Sequence, residues 1–227
     1  MTIAEKLAHI ERTIADTAGA CQRLPKDILL LAVSKGQPIS FIREAYCAGL
    51  TNFGENYLQE ALAKIHALKD LAIDWHFIGP IQSNKATAIS QNFSWVHSLS
   101  RREIAEKLAE HRPQELPALN ICLQVNLDGE LTKSGTSVQQ LLELAQVVSC
   151  LPRLQLRGLM AIPQPLADEQ EQYQSLHRLK LILDKLNREL KLSMDTLSIG
   201  MSDDMVAAIR AGSTILRIGR AIFGERR

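Results

Sequence analysis

The feature of this sequence that most constrains its fold is a regular alternation of short apolar segments with segments of helical periodicity. Eight apolar segments, several of them rich in β-branched residues, each span only a few positions. Runs of this kind are typical of parallel strands that helices cover on both faces. The predicted strands are residues 27–33, with an end at Lys35, then 51–53, 75–78, 94–97, 120–125, 155–160, 196–199 and 214–218.

Helical patterns fill the seven intervals between these strands, and an amphipathic helix precedes the first strand. Thr2 and Glu5 have the spacing of a capping box, which predicts that this leading helix begins there and extends to about Gly19. Ser100 and Glu103 have the same spacing before a later helix. The intervening helices are predicted at residues 39–47, 57–68, 84–90, 101–110, 138–150, 173–190 and 204–211.

No linker, low-complexity tract or change of composition divides the 227 residues into domains. Strict alternation of strands and helices over this length predicts an α/β fold, namely a single (β/α)8 TIM barrel over residues 1–227 with an extra N-terminal helix. An open, doubly wound sheet has the same alternation and is the alternative.

Two glycine turns near the end of the chain favour the barrel. An apolar run ends at Gly200 and another ends at Gly219, and a helix-forming segment follows each glycine. Backbone N–H groups at a helix start bind phosphate, and the phosphate site of many (β/α)8 barrels lies in the loops after strands 7 and 8. These turns follow the predicted strands 7 and 8, so we expect a phosphate site at the C-terminal ends of the strands.

Lys35 is the one strong nucleophile among the residues that close the predicted strands. A desolvated lysine at that position forms a Schiff base with an aldehyde, whereas the alternative is an ordinary solvated lysine. An aldehyde together with a phosphate indicates pyridoxal 5′-phosphate (PLP), and Arg217 in strand 8 is a candidate partner for its pyridine nitrogen. The other residues at these strand ends are Asn56, Gly79, His97, Asn126, Met160, Gly200 to Ser202 and Gly219.

Several other candidates have structural explanations beside the functional ones. Asn56 is either a cofactor contact or, together with Gln59, the cap of a helix. His76 and His97 are interpreted as satisfied core or rim residues, with a direct role as the alternative. We expect Lys133 to be a solvated loop charge.

Asp203 and Asp204 follow the first glycine turn directly. Acidic side chains suit the start of a helix, but they would repel a phosphate bound there. We therefore expect both carboxylates to point away from the phosphate site.

Charge and cysteine patterns exclude several other classes of function. The chain has 26 basic and 25 acidic residues and no basic block longer than two, so no nucleic-acid partner is indicated. The four cysteines are far apart with no C-x-x-C pair, which argues against a metal site and a disulfide framework and is typical of buried free thiols. With neither a signal-peptide pattern nor an apolar run of about 18 residues, no membrane partner is expected and the cytoplasm is the predicted location.

Seven motifs, in order between about residues 28 and 224, resemble those of the pyridoxal phosphate homeostasis protein family. That family is similar in fold to the barrel domain of alanine racemase, binds PLP and has no established catalytic reaction. The motifs are Ala32-Val-Ser-Lys35, Phe53-Gly-Glu-Asn-Tyr57, Trp75-His-Phe-Ile-Gly-Pro-Ile-Gln-Ser-Asn-Lys85, Lys133-Ser-Gly135, Gly158-Leu-Met-Ala-Ile-Pro163, Ser198-Ile-Gly-Met-Ser-Asp-Asp-Met205, and Arg217-Ile-Gly219 with Ala221-Ile-Phe-Gly224.

The resemblance implies a role for each matching residue. Lys35 would carry the Schiff base, and Arg217 would face the pyridine nitrogen. The phosphate would be held by Ser202 and by backbone N–H groups around Gly200, Met201, Gly219 and Arg220, with Asn56 as a further cofactor contact. Two positions depart from the family's pattern, since Gly36-Gln37 stands where Thr-Lys is common and Arg220 stands where Thr or Ser is common.

The predicted function is a PLP-binding protein of vitamin B6 and amino-acid homeostasis that is not an enzyme. Because Arg217 is always charged and only donates, it disfavours a protonated ring nitrogen and weakens the ring as an electron sink. PLP-dependent apo-enzymes are the possible recipients, and a monomer is expected because the chain stops soon after strand 8, without the swapped domain of alanine racemase.

The alternative is a PLP-dependent amino-acid racemase. Racemisation needs a second acid or base on the opposite face of the ring. The three tyrosines of this chain, Tyr46, Tyr57 and Tyr173, are all predicted in helices, which disfavours this alternative. A Schiff-base aldolase fits less well, because its lysine usually ends strand 6 and strand 6 ends here at Met160.

Overall fold

Eight parallel strands close into a barrel in which each strand pairs with its sequence neighbours and β8 pairs with β1. The computed structural model describes residues 1–129 and 134–224. The closed strand order confirms the (β/α)8 barrel and excludes the open, doubly wound sheet. The strands are β1 Leu29–Val33, β2 Asn52–Glu55, β3 Asp74–Phe77, β4 Trp95–Leu99, β5 Leu119–Gln124, β6 Leu154–Met160, β7 Thr196–Ser198 and β8 Ile215–Ile218.

Helices cover the outer face of the barrel. Short 3-10 turns at Pro25–Asp27 and Ser83–Lys85 precede β1 and α4. Seven of the helices lie between successive strands, and two lie before β1 and after β8. The α-helices of the described chain are α1 Ile3–Ala20, α2 Ile39–Cys47, α3 Leu58–Ala67, α4 Ala86–Asn92, α5 Arg102–His111, α6 Val138–Cys150, α7 Glu169–Leu190, α8 Met205–Arg210 and α9 Arg220–Phe223.

The leading helix begins at the capping box that its sequence predicts. Thr2 Oγ1 accepts a hydrogen bond from the Glu5 N–H at 3.2 Å, and Glu5 Oε2 accepts one from the Thr2 N–H at 2.8 Å. The second predicted box is wrong. Arg101 has an extended backbone and makes no side-chain cap, so α5 begins one residue later than the box requires and Glu103 is not its third residue.

Strand ends differ from the prediction in two places that affect the site. β1 ends at Val33, so Lys35 lies in the turn after the strand. β4 continues to Leu99, so His97 lies inside the strand and not at its end. His97 is fully buried, so it is a core residue as the first of the two interpretations had it, and only its placement at the end of the strand is wrong.

The four cysteines are free thiols. Cys122 lies inside the barrel, where burial raises its pKa to about 12, but Cys47 and Cys150 are exposed and correct the expectation of buried thiols. Within residues 1–129 and 134–224, no three His, Cys, Asp or Glu side chains are grouped as a metal site would require. No helix in this part of the chain has the length and apolar character needed to cross a membrane.

Candidate functional site

The candidate site lies at the C-terminal ends of the strands. Because all eight strands are parallel, the loops after them meet at one end of the barrel. β1 and β8 are hydrogen-bonded neighbours, with Leu31 opposite Arg217 and Ala32 opposite Ile218. The turn that carries Lys35 is therefore next to the turn that begins at Gly219.

The Lys35 turn is tightly held by backbone hydrogen bonds. The Ser34 N–H donates to the Gly54 carbonyl at 3.0 Å, and the Gln37 N–H donates to the Ser34 carbonyl at 3.0 Å. Gly36 has a φ of +70°, a left-handed conformation that favours glycine. The half-buried Lys35 side chain thus projects from a backbone of fixed shape.

A buried network of charges lies against this turn. Lys64 of α3 is 4 % exposed, and its Nζ donates to the Ser34 carbonyl at 2.6 Å, to Glu55 Oε1 at 2.7 Å and to Glu60 Oε1 at 2.6 Å. Glu60 Oε1 also accepts the Gly36 N–H at 2.6 Å. Both residues that flank Lys35 are therefore bound to the network.

Sequence reasoning missed this network. Glu60 and Lys64 have the four-residue spacing of a helical ion pair, and this spacing was the available signal. Burial raises the pKa of the Glu55 carboxyl, and the hydrogen bonds from Lys64 and Ser34 oppose that shift.

Asn56 lines a cavity at the barrel mouth and has a buried polar atom without a partner in the described chain. Tyr57 is the residue that precedes α3 and no side chain caps the helix, so of the two alternatives for Asn56 the helix cap is wrong. Asn56 Oδ1 is buried, and no hydrogen-bond partner for it lies within the described chain. The cavity is also lined by Ile78, Pro80, Gln124, Ser134 and Ile162. A buried acceptor without a partner is costly, which fits a site that binds a polar ligand.

The two glycine turns after β7 and β8 approach each other closely. Gly200 has a φ of +96°, and a Cβ added there would lie 2.5 Å from Ala208 Cβ. Ser202 Oγ accepts the Ala221 N–H at 3.4 Å, which connects the two turns. A phosphate bound at these turns would lie near the Ser202 hydroxyl and the N–H groups of the first turn of α9.

The acidic residues after Gly200 are both engaged. Asp204 Oδ1 accepts the Met201 N–H at 2.6 Å, so its carboxylate turns into its own loop and occupies one of the predicted phosphate donors. Burial raises the pKa of Asp204, and the hydrogen bond from Met201 opposes that shift. Asp203 forms an ion pair with Arg220, and both side chains are mostly exposed.

Arg217 is buried in the barrel beneath these turns, with 5 % of its surface exposed. Its Nη1 donates to the Ser198 carbonyl and to Ser198 Oγ, the latter at 2.9 Å, and its Nη2 donates to the Ala161 carbonyl at 3.0 Å. Burial lowers the pKa of Arg217 to about 10, so the guanidinium remains charged at neutral pH.

His76 and His97 belong to a hydrogen-bonded chain that reaches Arg217 through Ser198. His97 Nδ1 lies 2.7 Å from Ser198 Oγ, and His97 Nε2 lies 2.9 Å from His76 Nδ1. Burial lowers the pKa of His76 to about 3 and that of His97 well below its usual value, with His76 and Arg217 adding to the shift of His97. Both rings are neutral at pH 7. Lys133, the remaining candidate, lies outside the described residues.

Comparison with known families assigns the class of this barrel. The family described as the alanine racemase N-terminal domain matches residues 8–227 of the chain. The barrel is therefore of the alanine racemase N-terminal domain type.

Individual relatives narrow this assignment. A pyridoxal phosphate homeostasis protein of Pseudomonas aeruginosa is 53% identical over 225 residues, which cover 99% of this chain and 96% of that protein. The protein of the same name in Escherichia coli K12 is 48% identical over 227 residues, which cover 99% of this chain and 97% of that protein. The structure of PipY from Synechococcus elongatus PCC7942 with PLP bound is 35% identical, covers 98% of this chain and 100% of PipY, and has a TM-score of 0.87. The chain belongs to the pyridoxal phosphate homeostasis protein family.

Proposed function

We propose that this protein binds PLP at the mouth of the barrel, through a Schiff base on Lys35, as part of PLP homeostasis. The observation that carries the proposal is the juxtaposition of the Lys35 turn, the two glycine turns and Arg217 on the adjacent strands β1, β7 and β8. The names of the relatives support it, and so does the bound PLP of PipY.

The Lys35 amine makes the covalent attachment. Lys35 Nζ adds to an aldehyde carbon, the C=N bond forms, and the aldehyde oxygen leaves as water. The hydrogen bonds at Ser34 and Gly36 keep the lysine backbone in place during this step. Asn56 Oδ1, buried without a partner in the described chain, is available to a donor on the ligand.

The glycine turns hold the phosphate in this proposal. Ser202 contributes its hydroxyl, and Gly200, Gly219 and Arg220 contribute backbone N–H groups. The Met201 N–H donates to Asp204 Oδ1, so it has to leave that carboxylate before it joins the phosphate site.

Arg217 determines what the bound cofactor is suited for. Bound PLP supplies an electron sink for carbanions, and this capacity is largest when the ring nitrogen is protonated. Arg217 donates and has no acceptor, so it favours an unprotonated ring nitrogen. The site is better suited to holding PLP than to turning over substrates.

The proposed role is therefore that of a carrier, not an enzyme. It holds the reactive aldehyde and releases PLP to apo-enzymes, as a monomer in the cytoplasm. Loaded protein mixed with a PLP-dependent apo-enzyme should restore that enzyme's activity, and free PLP at the same total concentration provides the comparison.

The first experiment is titration of the purified protein with PLP, followed by absorbance. Wild-type protein should develop the band of a lysine imine with one equivalent of PLP, and Lys35→Ala should not. Lys26→Ala provides a matched control, because Lys26 is exposed and lies before β1. A wild-type protein without the band, or a Lys35→Ala variant that keeps it, would contradict the proposal.

One observation favours testing the racemase alternative as well. The prediction that Tyr57 lies inside a helix is wrong. Tyr57 precedes α3 at the barrel mouth, and its side chain is 62 % exposed. We expect no sustained exchange of the α-proton when loaded protein is incubated with a panel of amino acids in deuterated water. Turnover that both Lys35→Ala and Tyr57→Phe abolish would establish the racemase and overturn the carrier.

A further inference from the structure

A chain of hydrogen bonds crosses the interior of the barrel from Arg217 to β2. It passes through Ser198 of β7, His97 of β4 and His76 of β3, and it ends at Asn52, whose Oδ1 lies 3.0 Å from His76 Nε2. Side chains of this kind are unusual there, because the interior of a (β/α)8 barrel is normally filled by branched apolar residues. A buried polar network is retained at a cost in stability unless each member is satisfied.

The chemistry of the groups assigns a direction to this chain. Arg217 only donates, so its Nη1–H uses a lone pair of Ser198 Oγ and the serine proton is available to His97 Nδ1. His97 then carries its proton on Nε2 and donates to His76 Nδ1. His76 in turn donates from Nε2 to Asn52 Oδ1. Every donor points away from Arg217, and both imidazoles are neutral.

We propose that Ser198 and His97 are positioning residues that hold the Arg217 guanidinium in one orientation toward the pyridine nitrogen of PLP. The bonds to Ser198 and Ala161 use three N–H groups of the guanidinium, which restricts its rotation and directs its remaining N–H groups. Ser198 Oγ acts as a fixed acceptor because its own proton is committed to His97. This role rests on the proposed function.

The tautomers of the two histidines test the chain without any cofactor. Nitrogen-15 spectra of the unliganded protein at pH 7 should show His76 and His97 as neutral rings with the proton on Nε2 and a bare Nδ1. A proton on Nδ1 of either ring, or a charged ring, would reverse or break the chain and overturn the proposal. Exposed His9 is the internal reference in the same spectrum.

Binding of PLP to serine variants tests the role toward Arg217. Ser198→Ala should weaken the affinity for PLP about tenfold, as loss of a hydrogen bond to a charged group does, and should shift the absorption band of the bound cofactor. Ser198→Thr keeps the hydroxyl and should restore most of both. Ser90→Ala removes another buried hydroxyl, which donates to the Leu108 carbonyl, and should change neither.

The outcomes separate the two proposals. Unchanged affinity and an unchanged band in Ser198→Ala would overturn the positioning role while leaving PLP binding intact. Wild-type protein that binds no PLP would overturn the proposed function and the role toward the ring, and the tautomers of the unliganded protein would still decide whether the chain orients Arg217. If Ser198→Ala and Ser198→Thr both fail to fold, the tautomer of His97 in the wild type tests the positioning role, and a proton on Nδ1 would overturn it.

Discussion

The two halves of the proposed PLP site are held by different interactions. On the β1–β2 side, the buried Lys64 joins Glu55, Glu60 and the Ser34 carbonyl next to Lys35. On the β7–β8 side, glycine turns are bridged by an ion pair between Asp203 and Arg220, whose side chains are 75% and 55% exposed. The ion pairs beside Lys35 are buried, whereas the ion pair that bridges the two glycine turns is exposed to solvent.

This difference teaches how such a site can both attach and release a ligand. A buried ion pair is costly to break, because removal of one partner leaves an uncompensated charge. An exposed pair is screened by water and salt and rearranges easily. Buried charge therefore holds the backbone beside Lys35, whereas the Asp203–Arg220 pair that bridges the glycine turns rearranges at little cost.

Removal of the buried cation is expected to have the largest effect. Lys64→Met leaves the Glu55 carboxylate without its partner, and the free energy of unfolding should fall by about 3–5 kcal/mol. Urea denaturation at pH 7 measures this loss. The control is Arg43→Met, since Arg43 and Asp70 are also 2.7 Å apart but are about half exposed, and its loss should be much smaller than that of Lys64→Met. Equal losses of stability in the two variants would show that the buried Lys64 ion pair is no costlier to break than an exposed one.

A methyl group in the first glycine turn is expected to have the next largest effect. Gly200→Ala strains a left-handed backbone and places Cβ 2.5 Å from Ala208 Cβ and 2.7 Å from Leu216 Cδ2. The free energy of unfolding should fall by about 2–4 kcal/mol. Gly19→Ala in α1 meets no atom within 4 Å and should raise it by about 0.5–1 kcal/mol. A Gly200→Ala variant as stable as the wild type would show that this turn is not tightly packed.

Acid should lower the free energy of unfolding, because His76 in the hydrogen-bonded chain to Arg217 is buried as a neutral ring. Because the pKa of His76 falls from 6.5 to about 3 on folding, the unfolded chain binds more protons between these values. Stability is therefore complete above pH 6.5 and is lost as the pH falls, by up to about 1.4 kcal/mol per pH unit for this histidine. Urea denaturation from pH 7.5 to 5 checks the slope.

Two variants attribute this slope to the buried ring. His76→Phe keeps an aromatic ring beside Trp95 but does not titrate, so its slope should be shallower than that of the wild type. His9→Gln removes an exposed histidine and should leave the slope unchanged. An equal reduction of the slope in both variants, or no change in His76→Phe, would contradict the burial of a neutral His76.

Loss of the exposed ion pair is expected to have the smallest effect. Arg220→Met should change the free energy of unfolding by less than about 1 kcal/mol, and 1 M salt should remove the difference from the wild type. Denaturation with and without salt measures both. A loss as large as that of Lys64→Met, and insensitive to salt, would show that the phosphate side is as rigid as the lysine side.

Local patterns were sufficient to predict the barrel and the loops that carry the site. Apolar runs and helical periodicity are properties of neighbouring residues, so the strands, the Thr2 capping box and the glycine turns after β7 and β8 follow from the sequence. The Ser100 box failed because a shift of one residue in the start of α5 removes its geometry. The roles of Lys35, Asn56, Ser202 and Arg217 toward PLP stay predictions.

The interactions that support the site were not predictable from the sequence in the same way. Lys64 meets Ser34 across 30 positions, and His97 meets Ser198 across 101 positions. Neither pair has a local pattern: pairing of β1 with β2 brings Ser34 and Lys64 together, and closure of the barrel brings His97 to Ser198. A lone histidine in a sequence therefore gives no sign that it forms part of a chain to Arg217.

The most direct test of the account is to reduce the PLP-loaded protein with borohydride and map the modified lysine by mass spectrometry. The adduct should lie on Lys35, and because trypsin does not cut at a modified lysine it should appear in the peptide of residues 27–43. Lys64, whose Nζ is held by three acceptors, should be unmodified and serves as an internal control. An adduct on any other lysine, or none in protein saturated with PLP, would contradict the assignment of Lys35 as the anchor.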